Sequence, residues 1–252
     1  MPICALCKQP VSALRESHLI PAGFYRQMTR SSGGYTSATK EAAGNTSQQV
    51  KELLLGDCCE QRLEQNGEGW VLKNYSKDGK FPILNNLVKV HPILTKGDTK
   101  YFNLASNADI DIEKIVYFAA SVFWRAGAHS WKFPTASPYS IQLGPYLESL
   151  RLFLLGQSGF PANASLGIFV SPNPLHDGVI FPQRAHRTGD HFMRHGFFVP
   201  GMTFVLCTGK TIPSGVTDEC AARTKTLMLG TVGENLARQL RAGLAQPQSK
   251  FS

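Results

Sequence analysis

Four cysteines, one histidine and one glutamate in the first quarter of the chain are the residue types from which a metal site and a hydrolytic site are built. Cys4 and Cys7 stand at C-x-x-C spacing; Ser17-His18-Leu19-Ile20-Pro21 follows, and then Cys58-Cys59-Glu60. Thiolates at C-x-x-C spacing grip zinc from a tight turn, and zinc takes four ligands in near-tetrahedral geometry. Cys4, Cys7, Cys58 and Cys59 are therefore the expected ligands of a structural Zn²⁺. The second pair departs from the usual pattern, because Gly56 stands three residues before Cys59 where a cysteine is expected. Adjacent helical side chains point about 100° apart. Cys58 and Cys59 can both ligate only where the backbone leaves regular helix, which Gly56-Asp57 permits; otherwise Cys58 is a buried, inert thiol. His18, on an extended segment, can be held to take a proton from water. By itself it reads equally as a strand histidine bonded to the backbone.

Taken together, Cys4-x-x-Cys7, Ser17-His18-Leu19-Ile20-Pro21 and Leu53-Leu54-Leu55 leading into Cys59-Glu60 resemble the cysteine-containing branch of HNH endonucleases over about residues 1–70. The resemblance implies a treble-clef or ββα-metal module in which a zinc knuckle supports a nuclease site. It implies that His18 is the general base. Glu60 stands where the family often has a metal-binding histidine, and a carboxylate suits a hard cation. Ser17 stands where the family often has a metal-binding aspartate. The family's middle asparagine has Asn45, Gln48 and Gln49 as its nearest equivalents. A catalytic Mg²⁺ or Mn²⁺ would then sit near Glu60, with Glu64 or Glu68 beside it. The implied activity is hydrolysis of phosphodiesters in DNA, in preference to RNA. Such modules often serve host defence, an expectation by analogy alone. Two rivals stay open: a zinc-stapled module with a degenerate site that binds nucleic acid or protein, and an effector whose C-terminal region takes a small ligand.

Other chemical groups invite plainer readings. His176, His186, His191 and His195, with Arg184, Arg187 and Arg194, suggest a basic loop that touches phosphates or is simply solvated. Arg125 and His129 close a long helix, where positive charge suits the dipole. Trp124, Trp131 and Cys207 are expected in the core. Gly209-Lys210-Thr211 is not a phosphate loop, since the upstream glycine that the motif needs is absent.

The elements that must position these groups follow from composition and pattern. The 252 residues are 42% hydrophobic and 17% charged, enough to bury a core. The net charge of +8 favours polyanionic partners. No apolar run is long enough to span a bilayer, no leader is read at the N-terminus, and six cysteines in this arrangement do not form a disulfide framework, so a reducing, cytoplasmic setting is expected. The fold class expected is α+β: an HNH-like zinc module over 1–74, then a larger α+β domain over 75–252, with a protein partner or a homo-oligomer left open.

In more detail, Pro10 and Pro21 limit helix in residues 1–30, which read as a turn and an extended segment. Residues 31–47 read as a polar loop, 48–66 as a helix interrupted at Gly56-Asp57, and 70–72 as extended. Apolar residues at helical spacing predict a helix over 109–128, and Pro145 and Gly156 bracket another. Strands are expected at 166–170, 196–199, 203–207 and 227–229, with a hairpin turn at Pro200-Gly201. A capping box at Thr231 and Glu234 predicts a last helix to residue 245.

Overall fold

Helix α5 (Ile112–Ala128) organises the molecule. Asp111 caps it by accepting from the Lys114 backbone N–H, and apolar residues surround its axis. A helix apolar on every side must be covered on every side. The computed structural model describes residues 1–32, 35–38, 43–46, 49–133, 136–173, 178–183, 186–188 and 192–231, and within them α5 lies between a large sheet and the cysteine-bearing segment.

In chain order the elements before α5 are β1 (Arg15–His18), α1 (Ala22–Ser32), β2 (Tyr35–Ala38), β3 (Ala43–Thr46), β4 (Lys51–Leu55), α2 (Asp57–Leu63), a π-helical turn (Glu64–Glu68), α3 (Gly69–Asn74), α4 (Pro82–Leu87), β5 (Leu94–Lys96) and β6 (Thr99–Asn103). After it come β7 (Trp131–Phe133), β8 (Ala136–Tyr139), α6 (Tyr146–Leu154), β9 (Ala164–Val170), β10 (His186–Thr188), β11 (Phe192–Val199), β12 (Met202–Gly209), α7 (Ser214–Thr217), α8 (Ala221–Thr224) and β13 (Thr226–Leu229). The class is mixed α+β, as expected.

The large sheet has seven strands in the order β10-β11-β12-β9-β13-β6-β5. Neighbours run antiparallel, except that β13 lies parallel to β9. Alternation along β12 sends Phe204 and Leu206 into the main core, and Val205 and Cys207 into a smaller cluster with Phe192 on the other face. Rings from α5 lie on the first face: Phe118 meets Phe204 edge-on at 5.6 Å and Phe123 meets Phe197 at 4.9 Å. Fully burying one such side chain contributes roughly 1.5–3 kcal/mol, so this contact anchors α5 to the sheet.

On its other side α5 meets the π turn, backbone against backbone. A Cβ on Gly67 would lie 2.7 Å from the Phe118 nitrogen and 3.0 Å from the Lys114 oxygen. Only glycine permits that approach. One cluster of buried hydrophobics runs from Cys4 and Leu6, through Phe24 and Val71, to Phe204 and Leu229, so residues on both sides of position 74 share a core.

Several expectations change here. Residues 22–32 are helical: Pro21 lies just before α1, where a ring that fixes φ does no harm. Residues 35–38 and 43–46 pair as two strands rather than forming a plain loop. Leu53-Leu54-Leu55 belongs to β4, not to a helix, because β1 supplies an antiparallel partner. Residues 70–72 lie in α3 rather than in an extended segment. The helices at 112–128 and 146–154, and strands β9, β11, β12 and β13, stand where the pattern places them. The capping box beyond Thr231 and the last helix lie outside the described residues. Among the described residues no helix is long and apolar enough to cross a membrane.

Candidate functional site

The N-terminal cysteines sit on a tight knuckle. Ile3 bridges Pro10, the Cys4 N–H donates to the Gln9 oxygen at 3.0 Å, and the Lys8 N–H donates to the Cys4 oxygen at 2.9 Å. The knuckle docks on β4 through the Ala5 N–H and the Leu54 oxygen, 3.1 Å apart. β4 then runs into α2, whose first turn carries Cys59. The Sγ atoms of Cys4, Cys7 and Cys59 all lie within 4.8 Å of one another. Cys4 and Cys59 are buried and Cys7 is half-buried.

Burial alone would raise the Cys4 pKa, but backbone N–H groups of Cys7, Gly56 and Leu6 and the Cys7 thiol hold it below its ordinary value. Cys59 moves the other way, raised by burial and then by Cys4 and Cys7. Thiols this close cannot all ionise alone, and a cation among them removes the conflict. The three cysteines can therefore hold a metal ion.

Cys58 does not join this group. It is exposed, because Cys59 turns inward from a regular helical turn and its neighbour must then turn out. Gly56, the position where a further cysteine is expected, is closed instead: a Cβ there would lie 2.7 Å from Val11 Cγ1. From the other region, Arg151 of α6 donates to the Leu6 oxygen at 2.7 Å and pairs with Glu148, which also meets Lys8 at 2.9 Å. Those two cations, Arg151 first, push the Glu148 carboxyl down to about 2.

On the opposite side of α2 lies a cavity of about 430 Å³, lined by His18, Glu60, Glu64, Glu68, Arg15, Arg26 and Arg125 among others. β1 brings His18 to it and α2 brings Glu60. Ser17, 1% exposed, donates its hydroxyl to Glu60 Oε1. Ser17 thus orients the carboxylate. His18 Nε2 lies 2.6 Å from Gln49 Oε1. With that oxygen accepting, Nε2 carries the ring proton and Nδ1 keeps a lone pair. Burial holds the His18 pKa below its ordinary value; the Gln49 bond and Glu60 oppose the shift, while Arg125 and Lys51 reinforce it. The ring is neutral near pH 7, the form a base requires.

Of the three amides suggested as equivalents of the middle asparagine, Gln49 is the one placed against His18. Gln48 lies outside the described residues, and Asn45 falls in β3. Glu60, Glu64 and Glu68 follow one another along α2 and the π turn. Among the described residues, His18 and these carboxylates form no group of three converging ligand atoms; the cysteines do.

Arg125 borders the cavity, a place the sequence reading did not give it. It is not a surface charge at a helix end: it is 1% exposed, donates through Nη1 to the His18 carbonyl at 2.9 Å, and pairs with Glu68 through Nη2. Burial lowers its pKa to about 10, against the pull of Glu60 and Tyr25, so it remains a cation at neutral pH. The signal was available in Val122-Phe123-Trp124-Arg125-Ala126, where one charge interrupts an all-round apolar helix.

His195, expected in a basic loop, is fully buried in β11, with Nδ1 3.3 Å from the Gln183 oxygen. His186 lies in β10; Arg184, His176 and His191 lie outside the described residues. Trp124, Trp131 and Cys207 are buried as expected. Comparison of the chain with protein-family models, with characterised proteins and with solved structures finds no match to any of them.

Proposed function

We propose that this protein is a divalent-metal-dependent, HNH-like endonuclease that cuts DNA in preference to RNA, with a structural zinc ion at Cys4, Cys7 and Cys59. The observation that carries the reading is that His18 and Glu60, from a strand and a helix far apart in sequence, line one cavity whose rim holds Arg15 and Arg26. The order of elements is compatible with it. A cysteine knuckle, the antiparallel pair β1 and β4, and the helix α2 occur in that order along the chain, with α1, β2 and β3 inserted between the two paired strands.

In this reading a phosphodiester enters the cavity and meets the guanidinium groups of Arg15 and Arg26, which suit phosphate oxygens. His18 Nδ1 takes a proton from the attacking water. Glu60, held by Ser17, and Glu64 offer oxygen ligands of the kind Mg²⁺ or Mn²⁺ accepts, and Mg²⁺ sites commonly use one or two carboxylates with water and substrate phosphate. That cation would polarise the phosphate and stabilise the leaving oxygen. Zinc suits the three thiolates, with the fourth position left to a non-cysteine ligand.

Nicking of supercoiled plasmid tests the reading. The parent protein is expected to cut with Mg²⁺ or Mn²⁺ and to stop with EDTA, while His18→Ala abolishes cutting with fold and zinc content kept. A mutant that cuts as fast as the parent overturns the assignment. One observation favours the rival, a binding module with a degenerate site: Ser17 provides a hydroxyl where a ligating carboxylate is expected. No cutting with any metal, together with salt-sensitive retention of DNA, is the outcome that rival requires.

A further inference from the structure

Arg125 is buried near the C-terminal end of α5, among Val122, Phe123, Trp124 and Ala126, yet it borders the cavity. We propose that it is a positioning residue for His18, and that through it α5 sets the geometry of the site; this rests on the reading of His18 as the base.

The argument starts from the seam between α5 and the π turn. Lys114 and Phe118 meet Gly67 there, backbone to backbone. Two turns further along α5, the Arg125 side chain reaches Glu68, next to Gly67, and the end of β1. There the planar guanidinium meets two partners: Nη1 donates to the His18 carbonyl at 2.9 Å, and Nη2 is ion-paired with the Glu68 carboxylate. One rigid fork thus ties together the strand that bears His18 and the turn that follows Glu60. The base of the fork is held as well, since the Trp131 indole N–H donates to the Arg125 carbonyl at 2.9 Å.

His18 is consequently held twice. Arg125 fixes its backbone, and Gln49 fixes Nε2 of its ring. Between them they determine where Nδ1 points. A lysine could not replace Arg125, because a single ammonium lacks the fork that reaches two acceptors in fixed directions. Arg125 pairs with Glu68 while Glu60 also acts on it electrostatically, and Glu60 and Glu64 remain the carboxylates proposed for a hard cation. A buried ion pair is a poor source of stability compared with a well-packed apolar pair. Its value here lies in geometry.

The test removes both charges together, so that neither is left buried and alone. In Arg125→Met/Glu68→Leu the fold and zinc content are expected to persist, while kcat for plasmid nicking falls about 10- to 100-fold and KM is unchanged. A second readout needs no activity. In a nitrogen-edited long-range NMR spectrum the His18 ring of the parent should show one tautomer, protonated at Nε2; in the double variant it should show exchange between both. A double variant with parental kcat and an undisturbed ring overturns the proposal. A parent that cuts no plasmid, while the ring signature responds as stated, sinks the nuclease reading and leaves the positioning role standing. Should the double variant fail to fold, Arg125→Lys takes its place, and an undisturbed ring in that folded variant likewise overturns the proposal.

Discussion

The two sides of α2 make opposite uses of the same short segment. Toward the knuckle, Cys59 joins two other sulfur atoms in a closed, desolvated cluster. Toward the cavity, the next residue, Glu60, joins histidine, carboxylate and guanidinium groups around open space. The sulfur side is made by local structure: a turn, a strand and a helix start that the chain's own hydrogen bonds set in place. The oxygen side leans on distant residues, since Gln49 and Arg125 each hold His18 from another element. The sulfur side takes its distant support at the edge of the knuckle, where Arg151 of α6 meets the Leu6 carbonyl, whereas on the oxygen side the helix at the centre of the fold reaches His18 itself.

The largest expected effect lies on the sulfur side. Structural zinc in small modules contributes on the order of 10 kcal/mol to folding. Cys4→Ser removes one of three ligands and should forfeit a large part of this. Zinc per chain, read by atomic emission, should fall well below one, and the thermal midpoint should drop sharply. A variant that keeps its metal and melts like the parent would break the comparison at its first term.

A smaller effect is expected on the histidine side, and it depends on pH. His18 and His195 both have folded pKa values below the ordinary one, burial being the first cause in each. Below the unfolded value of about 6.5, the unfolded chain binds more protons than the folded one. Stability then rises with pH and reaches its full value above that point; it is lost as pH falls toward the folded values. Melts from pH 7 to 5 should show this decline, and His18→Gln should make it shallower without removing it, since His195 remains. A decline of unchanged steepness in the variant would mean that His18 is not among its causes.

How much of this was legible in the chain follows the same division between near and far. The apolar spacing of Ile112, Ile115, Val116, Ala119 and Phe123 announces α5, because a long periodic segment is a local signal. Cys4 and Cys7 were legible from their spacing; Cys59 was expected together with Cys58, and only the fold separates the two. β4 was not legible: a run of three leucines fits helix or strand, and β1, far away in sequence, decides between them. Arg125 escaped for a related reason. A cation in the last turn of a helix has a sufficient local explanation in the dipole, and nothing near it in sequence shows that Glu68 and the His18 carbonyl are its partners. Residues explained by their neighbours are readable; residues explained by a distant element wait for the fold.

The smallest effect is also the sharpest discriminator, because it concerns the residue beside Cys59. Cys58 and Cys59 share composition, neighbours and helix, and differ only in azimuth. One faces two thiols; the other faces solvent beside Gln61, Arg62, Gln65 and Asn66. Cys58→Ser should leave zinc content unchanged and move stability by no more than about 0.5 kcal/mol, the usual range for a surface change. Cys59→Ser, one residue along, should behave like Cys4→Ser. If instead Cys58→Ser releases zinc, the first turn of α2 must open in the metal-bound protein so that both sulfur atoms reach one ion. Glu60 would then turn away from Ser17 and the cavity, and the division of α2 into a sulfur side and an oxygen side would have to be abandoned.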